Sequence, residues 1–163
     1  MQDGLGIREC DGITLRDLEA ADLSVLFAQQ SNSEACRMAA VHPREWEAFH
    51  AHWESACHNP TVITKAILER GTLVGQISFF NVSGVDYVGY WIAREHWGRG
   101  IATSALAQLL ELVTTRPIRA RVARNNTASI RVLERNGFTL IGHEWSPGDE
   151  RYVACEEAIL MLS

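Results

Sequence analysis

The stretch Trp91-Ile92-Ala93-Arg94-Glu95-His96-Trp97-Gly98-Arg99-Gly100-Ile101-Ala102-Thr103 decides how the chain is read. An alternating apolar segment ends at Ile92 and a loop with two glycines follows. From Thr103 to Thr114 the chain takes up helical period through Ala105, Leu106, Leu109, Leu112 and Val113. Glycines let successive N–H groups turn the same way, and the first turn of a helix adds unpaired donors and the positive end of its dipole. That geometry holds a phosphate or pyrophosphate. The Gly-x-Gly spacing by itself carries little, because twelve glycines in 163 residues produce it about once by chance, and Gly4-x-Gly6 counts as such an instance. The strand-loop-helix setting is what gives the second instance weight.

Outward from this unit the periodicities alternate between strand and helix. On the N-terminal side, Ile13 to Arg16 reads as a short strand, and Asp22 as the N-cap of a helix with Leu23, Leu26 and Phe27 on one face. A second helix is expected to begin near Pro43, a good first-turn residue, with Trp46, Phe49, Trp53 and Cys57 along one stripe and Asn59-Pro60 as its stop. Val62 to Glu69, Leu73 to Asn81 and Val85 to Ile92 alternate like three strands of a meander, with Arg70-Gly71 as a hairpin turn. On the C-terminal side come a strand at Ile118 to Val122 and a helix at Thr127 to Asn136 closed by Gly137. Two final strands, Phe138 to Glu144 and Tyr152 to Leu162, flank a Pro147-Gly148-Asp149 turn. This order predicts one α+β domain, residues 1–163, with a mostly antiparallel sheet and about four helices.

Composition agrees with a single packed domain. With 47% hydrophobic and 21% charged residues, the chain is far from the signature of disorder and long enough to bury a full core. No apolar run approaches the ~20 residues that span a bilayer. Asp3, Glu9 and Asp11 near the start leave no h-region for a signal peptide, so neither export nor a membrane is expected. Cys10, Cys36, Cys57 and Cys155 show no C-x-x-C pair and read as free thiols of a reducing, cytoplasmic compartment. His50 and His52, two apart, face different sides of a helix, and no metal site is expected. From Arg94 to Arg135 eight arginines stand against three glutamates. That balance of +5 leaves −10 for the rest of a chain of net charge −5. Such a split points to a polyanionic ligand bound by this segment and away from nucleic acid wrapped over the surface.

Two linked motifs carry a family resemblance. Trp97-Gly98-Arg99-Gly100-Ile101-Ala102 fits the pyrophosphate signature Gln/Arg-x-x-Gly-x-Gly/Ala with Trp in the first place. The second block is Asn126-Thr127-Ala128-Ser129 followed by Val132-Leu133-Glu134-Arg135-Asn136-Gly137-Phe138. With these blocks the chain resembles the GNAT superfamily of acyl-CoA-dependent N-acetyltransferases, and within it the Rim-like branch of ribosomal-protein N-terminal acetyltransferases. The resemblance covers nearly the whole chain. It implies a mixed sheet splayed at the cofactor strand and acetyl-CoA as co-substrate. Trp91 and Ile92 would hydrogen-bond the pantetheine arm, and the amides of Gly98, Arg99, Gly100, Ile101, Ala102 and Thr103 would hold the pyrophosphate. Asn126 is expected near pantetheine or adenosine, although Asn-Thr also suits a local helix cap, and Ser129 is expected near the thioester sulfur.

One departure bears on mechanism. Many superfamily members place a tyrosine acid four residues after the Ser129 position, and here that residue is Leu133. Serine is too weak an acid to protonate a thiolate whose thiol titrates near ~8.5, so Ser129 is expected to donate a hydrogen bond instead. For the base, Glu34, in the region after the first helix, ranks first. Asp86, Tyr90, Glu156 and Glu157 are the other candidates. A serine hydrolase is excluded because no Gly-x-Ser-x-Gly elbow occurs. A dinucleotide site fits poorly, since Thr103 stands where the third glycine would fall.

The expected reaction is acetyl transfer to a primary amine, with a peptide or protein N-terminal α-amine favoured. A polyamine or an amine antibiotic is the alternative acceptor, and a non-catalytic acyl-CoA-binding protein is the alternative class. A homodimer is compatible with the resemblance.

Overall fold

The computed structural model describes residues 12–163. The expectations resting on Asp3, Gly4-x-Gly6, Glu9, Cys10 and Asp11 lie outside that range. The chain forms a seven-stranded mixed sheet with helices on both faces. In order, the elements are β1 (Ile13–Asp17), α1 (Leu23–Gln30), α2 (Ser33–Ala39), α3 (Trp46–His58), β2 (Ile63–Glu69), β3 (Thr72–Val82) and β4 (Val85–Ile92). After these come α4 (Ile101–Leu112), β5 (Ile118–Ala123), α5 (Thr127–Arg135), β6 (Thr139–Ser146) and β7 (Cys155–Leu162). The spatial order is β1-β2-β3-β4-β5-β7-β6. Every neighbouring pair is antiparallel except β4 with β5.

The meander follows from local rules. Arg70 (φ 48°) and Gly71 (φ 83°) form the two-residue turn between β2 and β3, the left-handed geometry that matches strand twist. Successive residues of β2 then bury opposite faces. Ile67 enters the main core with Leu106, Leu109, Ile118 and Leu160, whereas Ala66 joins Leu23, Leu26, Phe49 and Trp53 beneath α1 and α3.

Three local readings are corrected. Among the described residues there are five α-helices where about four are expected, because Ser33–Ala39 is helical. Its N-cap Asn32 accepts from the Ala35 N–H at 3.0 Å, a signal hidden in a stretch that reads as loop. The third helix starts at Trp46 with Glu45 as N-cap, so Pro43 precedes it. Asp22 does stand before α1, but its carboxylate makes no cap bond to that helix. It instead takes a bidentate pair from Arg16 (2.7 and 2.8 Å) and accepts the Glu19 N–H at 2.8 Å.

This pair ties β1 to the first helical layer and sets an acid limit on stability. Asp22 is 6% exposed, and the Arg16 hydrogen bonds hold its carboxyl below the ordinary carboxylate range. Its contribution is therefore present above the unfolded value of about 3.9 and is lost as pH falls through the lower folded value. Denaturant midpoints of the wild type and Asp22→Asn, compared from pH 7 to 3, should converge below about pH 4. Removing Arg16 should cost toward the lower end of the ~3–5 kcal/mol of a broken buried pair, because Arg16 itself is half exposed.

Candidate active site

The site is made by a strand that leaves its neighbour. β4 stays paired with β3 through Gly75↔Ile92, yet it meets β5 at the single register position Tyr87↔Arg119. Beyond Tyr87 the edge of β4 that faces β5 has no strand partner, so its backbone groups are open to a ligand. A cavity of about 150 Å³ opens between the two strands. Val88, Gly89 and Tyr90 form one wall, Val122 and Ala123 another, and α5 closes it with Asn126, Ser129 and Leu133. The expected splay at the cofactor strand is thus present.

The loop after β4 is held by its own side chains. The Trp97 indole donates to the Ile92 carbonyl at 2.8 Å, and the Arg94 guanidinium lies 4.8 Å over the Trp97 ring. Trp97 thereby pins the glycine loop to the end of the strand. Gly98 and Gly100 both take φ 75°, and a Cβ at either position would meet nothing within 4 Å. Backbone conformation, not crowding, is what requires glycine there. Gly100 is the N-cap of α4 and supplies no side chain, so the first-turn N–H groups of Ile101, Ala102 and Thr103 point out of the helix end without intrahelical partners. Arg99 is committed elsewhere, donating to Glu69 at 2.6 Å and contacting His96 at 3.0 Å.

Two buried polar atoms here are unsatisfied, the Thr103 hydroxyl in the first turn of α4 and the Trp91 indole nitrogen on β4. It is the open strand edge and the bare helix N-terminus that fit a ligand with phosphates and an amide-bearing arm, as acyl-CoA has. The residues that would hold it are the β4 edge through Ile92, the amides from Gly98 to Thr103, and α5.

The α5 residues form a polar cluster within the cavity wall. Asn126 caps its helix, accepting from the Ser129 N–H at 3.3 Å. The Tyr90 hydroxyl lies 2.8 Å from Ser129 Oγ and donates to the Ser129 carbonyl at 3.1 Å. Burial pushes the Tyr90 phenol up to about 12, against the opposing effect of its Ser129 hydrogen bond. It is protonated at neutral pH, which removes it as a base.

Of the carboxylates ranked from sequence, Glu157 is the one that lines the cavity, with Arg121 at 3.4 Å. Glu34 lies in the first turn of α2, outside the cavity wall, and accepts from Arg94 at 2.7 Å. That hydrogen bond holds its carboxyl below the usual range and weakens it as a proton acceptor. Asp86 accepts from Asn81 near the β3–β4 hairpin, and Glu156 pairs with Arg124. The sequence could not separate Glu156 from Glu157, because which side of β7 faces the cavity depends on the register with β5.

A mixed sheet split at one parallel pair, with a glycine loop and a helix N-terminus at the open end, is an architecture suited to an acyl-CoA-dependent transferase. The match to the acetyltransferase (GNAT) domain model over residues 13–139 shows that the chain belongs to this family of N-acetyltransferases, whose acyl donor is acetyl-CoA. It is 27% identical over 142 residues to the N-acetyltransferase p20 of Bacillus licheniformis, covering 77% of this chain and 78% of that one. A shorter match, 36% identical over 83 residues, covers 47% of this chain and 45% of YdaF of Bacillus subtilis, named as a candidate ribosomal N-acetyltransferase. Among solved structures it is similar to RimJ of Mycobacterium smegmatis in complex with CoA-disulfide. The TM-score is 0.74 at 25% identity, over 92% of this chain and 81% of that one.

Proposed function

We propose that the protein, acting through residues 1–163 as one catalytic domain, transfers acetyl from acetyl-CoA to an N-terminal α-amine of a peptide or protein. The observation that carries this reading is the content of the cavity wall: the hydroxyls of Tyr90, Ser129, Ser146 and Tyr152, and a single carboxylate, Glu157, already close to Arg121. Such a site accepts a proton from an amine that is already largely neutral and does little for one that is not. An α-amine titrates at about 7.7–8.0 and a lysine side chain at about 10.4, so near pH 7.5 roughly a third of the former is neutral against about a thousandth of the latter.

The chain's own groups then divide the work. The open β4 edge orients the thioester and offers N–H groups to the developing oxyanion. Ser129 donates a hydrogen bond to the leaving sulfur. Glu157 takes the amine proton, in place of Glu34, whose pairing with Arg94 suits it to tethering α2 against the loop. A polyamine is the weaker alternative. Arg151 adjoins Tyr152 at the cavity wall and lies near enough to Arg44 for their charges to oppose one another. Neither has a carboxylate partner among the described residues. A polycation would meet like charge there.

Cys36, Cys57 and Cys155 are free. We therefore assign the protein to a reducing cytoplasmic setting, and among the described residues no helix is long and apolar enough to cross a membrane. A homodimer would use the edge strand β6, where Leu140, Ile141 and Trp145 are exposed.

The test is a pH–rate profile with matched peptides, one with a free N-terminus and blocked lysine, the other the reverse. The α-amine peptide should be preferred at about pH 7.5, with the gap narrowing toward pH 10 as the lysine deprotonates. A lysine preference at about pH 7.5 would overturn the reading.

A further inference from the structure

The phenol of Tyr90 has one proton and two acceptors within reach, the Ser129 carbonyl at 3.1 Å and Ser129 Oγ at 2.8 Å. With the phenol proton on the carbonyl, Tyr90 Oη is open to accept from the Ser129 hydroxyl; with it on Oγ, the serine proton has to find another acceptor. Leu133 lines the same cavity, so no phenol reaches it from that position of α5; of the two phenols in the wall, Tyr90 and Tyr152, it is Tyr90 on β4 that touches Ser129.

We propose that Tyr90 is a positioning residue for Ser129, its hydroxyl swinging from the Ser129 carbonyl to Ser129 Oγ as negative charge grows on the leaving sulfur. This rests on the acetyl-transfer reading above. The swing frees the serine proton to hydrogen-bond the sulfur, and the Tyr90 donor polarises that bond because hydrogen bonds in a chain strengthen one another. No proton leaves either hydroxyl. As the C–S bond breaks its electron pair stays on sulfur, the amine nitrogen bonds the acyl carbon, and the amine proton goes to Glu157. Proton transfer from Tyr90 would run uphill, since its phenol lies at about 12 and a thiol near ~8.5. Tyr90 is half-buried with its ring packed on the core, which leaves its hydroxyl as the part free to reorient.

The experiment reads the bound thiol itself and needs no acceptor. CoA bound to the wild type, Tyr90→Phe, Ser129→Ala and the double variant is titrated by thiolate absorbance. In the wild type the bound CoA thiol should titrate below the value of free CoA measured alongside it, by about half a unit or more. Tyr90→Phe, which keeps the ring, should move it back toward the free value, with CoA affinity within about twofold of wild type. The double variant should match Ser129→Ala alone, because Tyr90 acts only through the serine. A wild-type-like titration in Tyr90→Phe, with Ser129→Ala shifted, overturns the role of Tyr90 and leaves Ser129 in place. Equal shifts from Tyr90→Phe with and without Ser129 also overturn it, as packing alone would give. An unshifted Ser129→Ala removes the serine from the thiolate and ends both assignments.

Discussion

Gly100→Glu is expected to abolish acetyl-CoA binding, raising the dissociation constant by more than ~100-fold while leaving a folded protein. Gly100 sits at φ 75° as the N-cap of α4, where a non-glycine residue costs about 1–2 kcal/mol. Nothing lies within 4 Å of a Cβ built there, so the new side chain has room and extends into the space in front of the helix end. A carboxylate is compatible with the helix dipole, and it occupies the place of the pyrophosphate and repels it. Gly100→Ala separates the two effects, since it carries the backbone strain without the charge and should weaken binding far less. Calorimetric titration with CoA, alongside circular dichroism, checks the pair. A folded Gly100→Glu protein with unchanged affinity would sink the pyrophosphate assignment.

Gly75→Ala should be the most damaging glycine-to-alanine change among the described residues, costing about 3 kcal/mol or more. A Cβ there would come within 2.1 Å of the Trp91 carbonyl oxygen, with the Trp91 carbonyl carbon at 3.1 Å and Ile92 Cα at 3.2 Å. All three are backbone atoms and no rotamer relieves them. The strand that must move is the end of β4, since Gly75 pairs with Ile92 and Ala93 N–H bonds the Val74 carbonyl. Stability and CoA affinity should therefore fall together, unlike in Gly100→Glu. For a chain of this length the melting temperature should drop by about 6–12 °C. A variant melting within about 2 °C of the wild type would show that β4 tolerates displacement here.

Much of this molecule is written in short-range pattern. Alternation marked Val85–Ile92 as a strand to the residue, and the Arg70-Gly71 turn followed from the need for positive φ. The glycine loop and helix start from Trp91 to Thr103 could be read as a candidate site because their chemistry lies in backbone groups, whose placement local sequence dictates. Family, fold class and acyl donor all follow from that stretch and the Asn126 to Phe138 block. What escaped was whatever depends on which residues meet across the sheet. The seven-residue α2 carries too little periodicity to stand out from a loop. Asp22 looks like a helix cap until Arg16, on the preceding strand, comes round to claim it. Gly75 is an unremarkable glycine until β4 is laid against it.

The proton-handling groups show the same division. Glu34, Asp86, Tyr90, Glu156 and Glu157 are equivalent as side-chain types, and only the tertiary structure separates them. It gives Glu34 to Arg94 and Glu156 to Arg124, leaves Glu157 in the cavity wall, and brings Tyr90 across 39 residues of sequence to Ser129. The sequence by itself determined the glycine turn and the helix end proposed to hold the acyl donor, because main-chain amides placed by local backbone conformation need no distant partner. The tertiary structure decided which proton-handling side chains stand at the cavity, because a side chain's proton affinity and reach are set by neighbours that the folded sheet alone assembles.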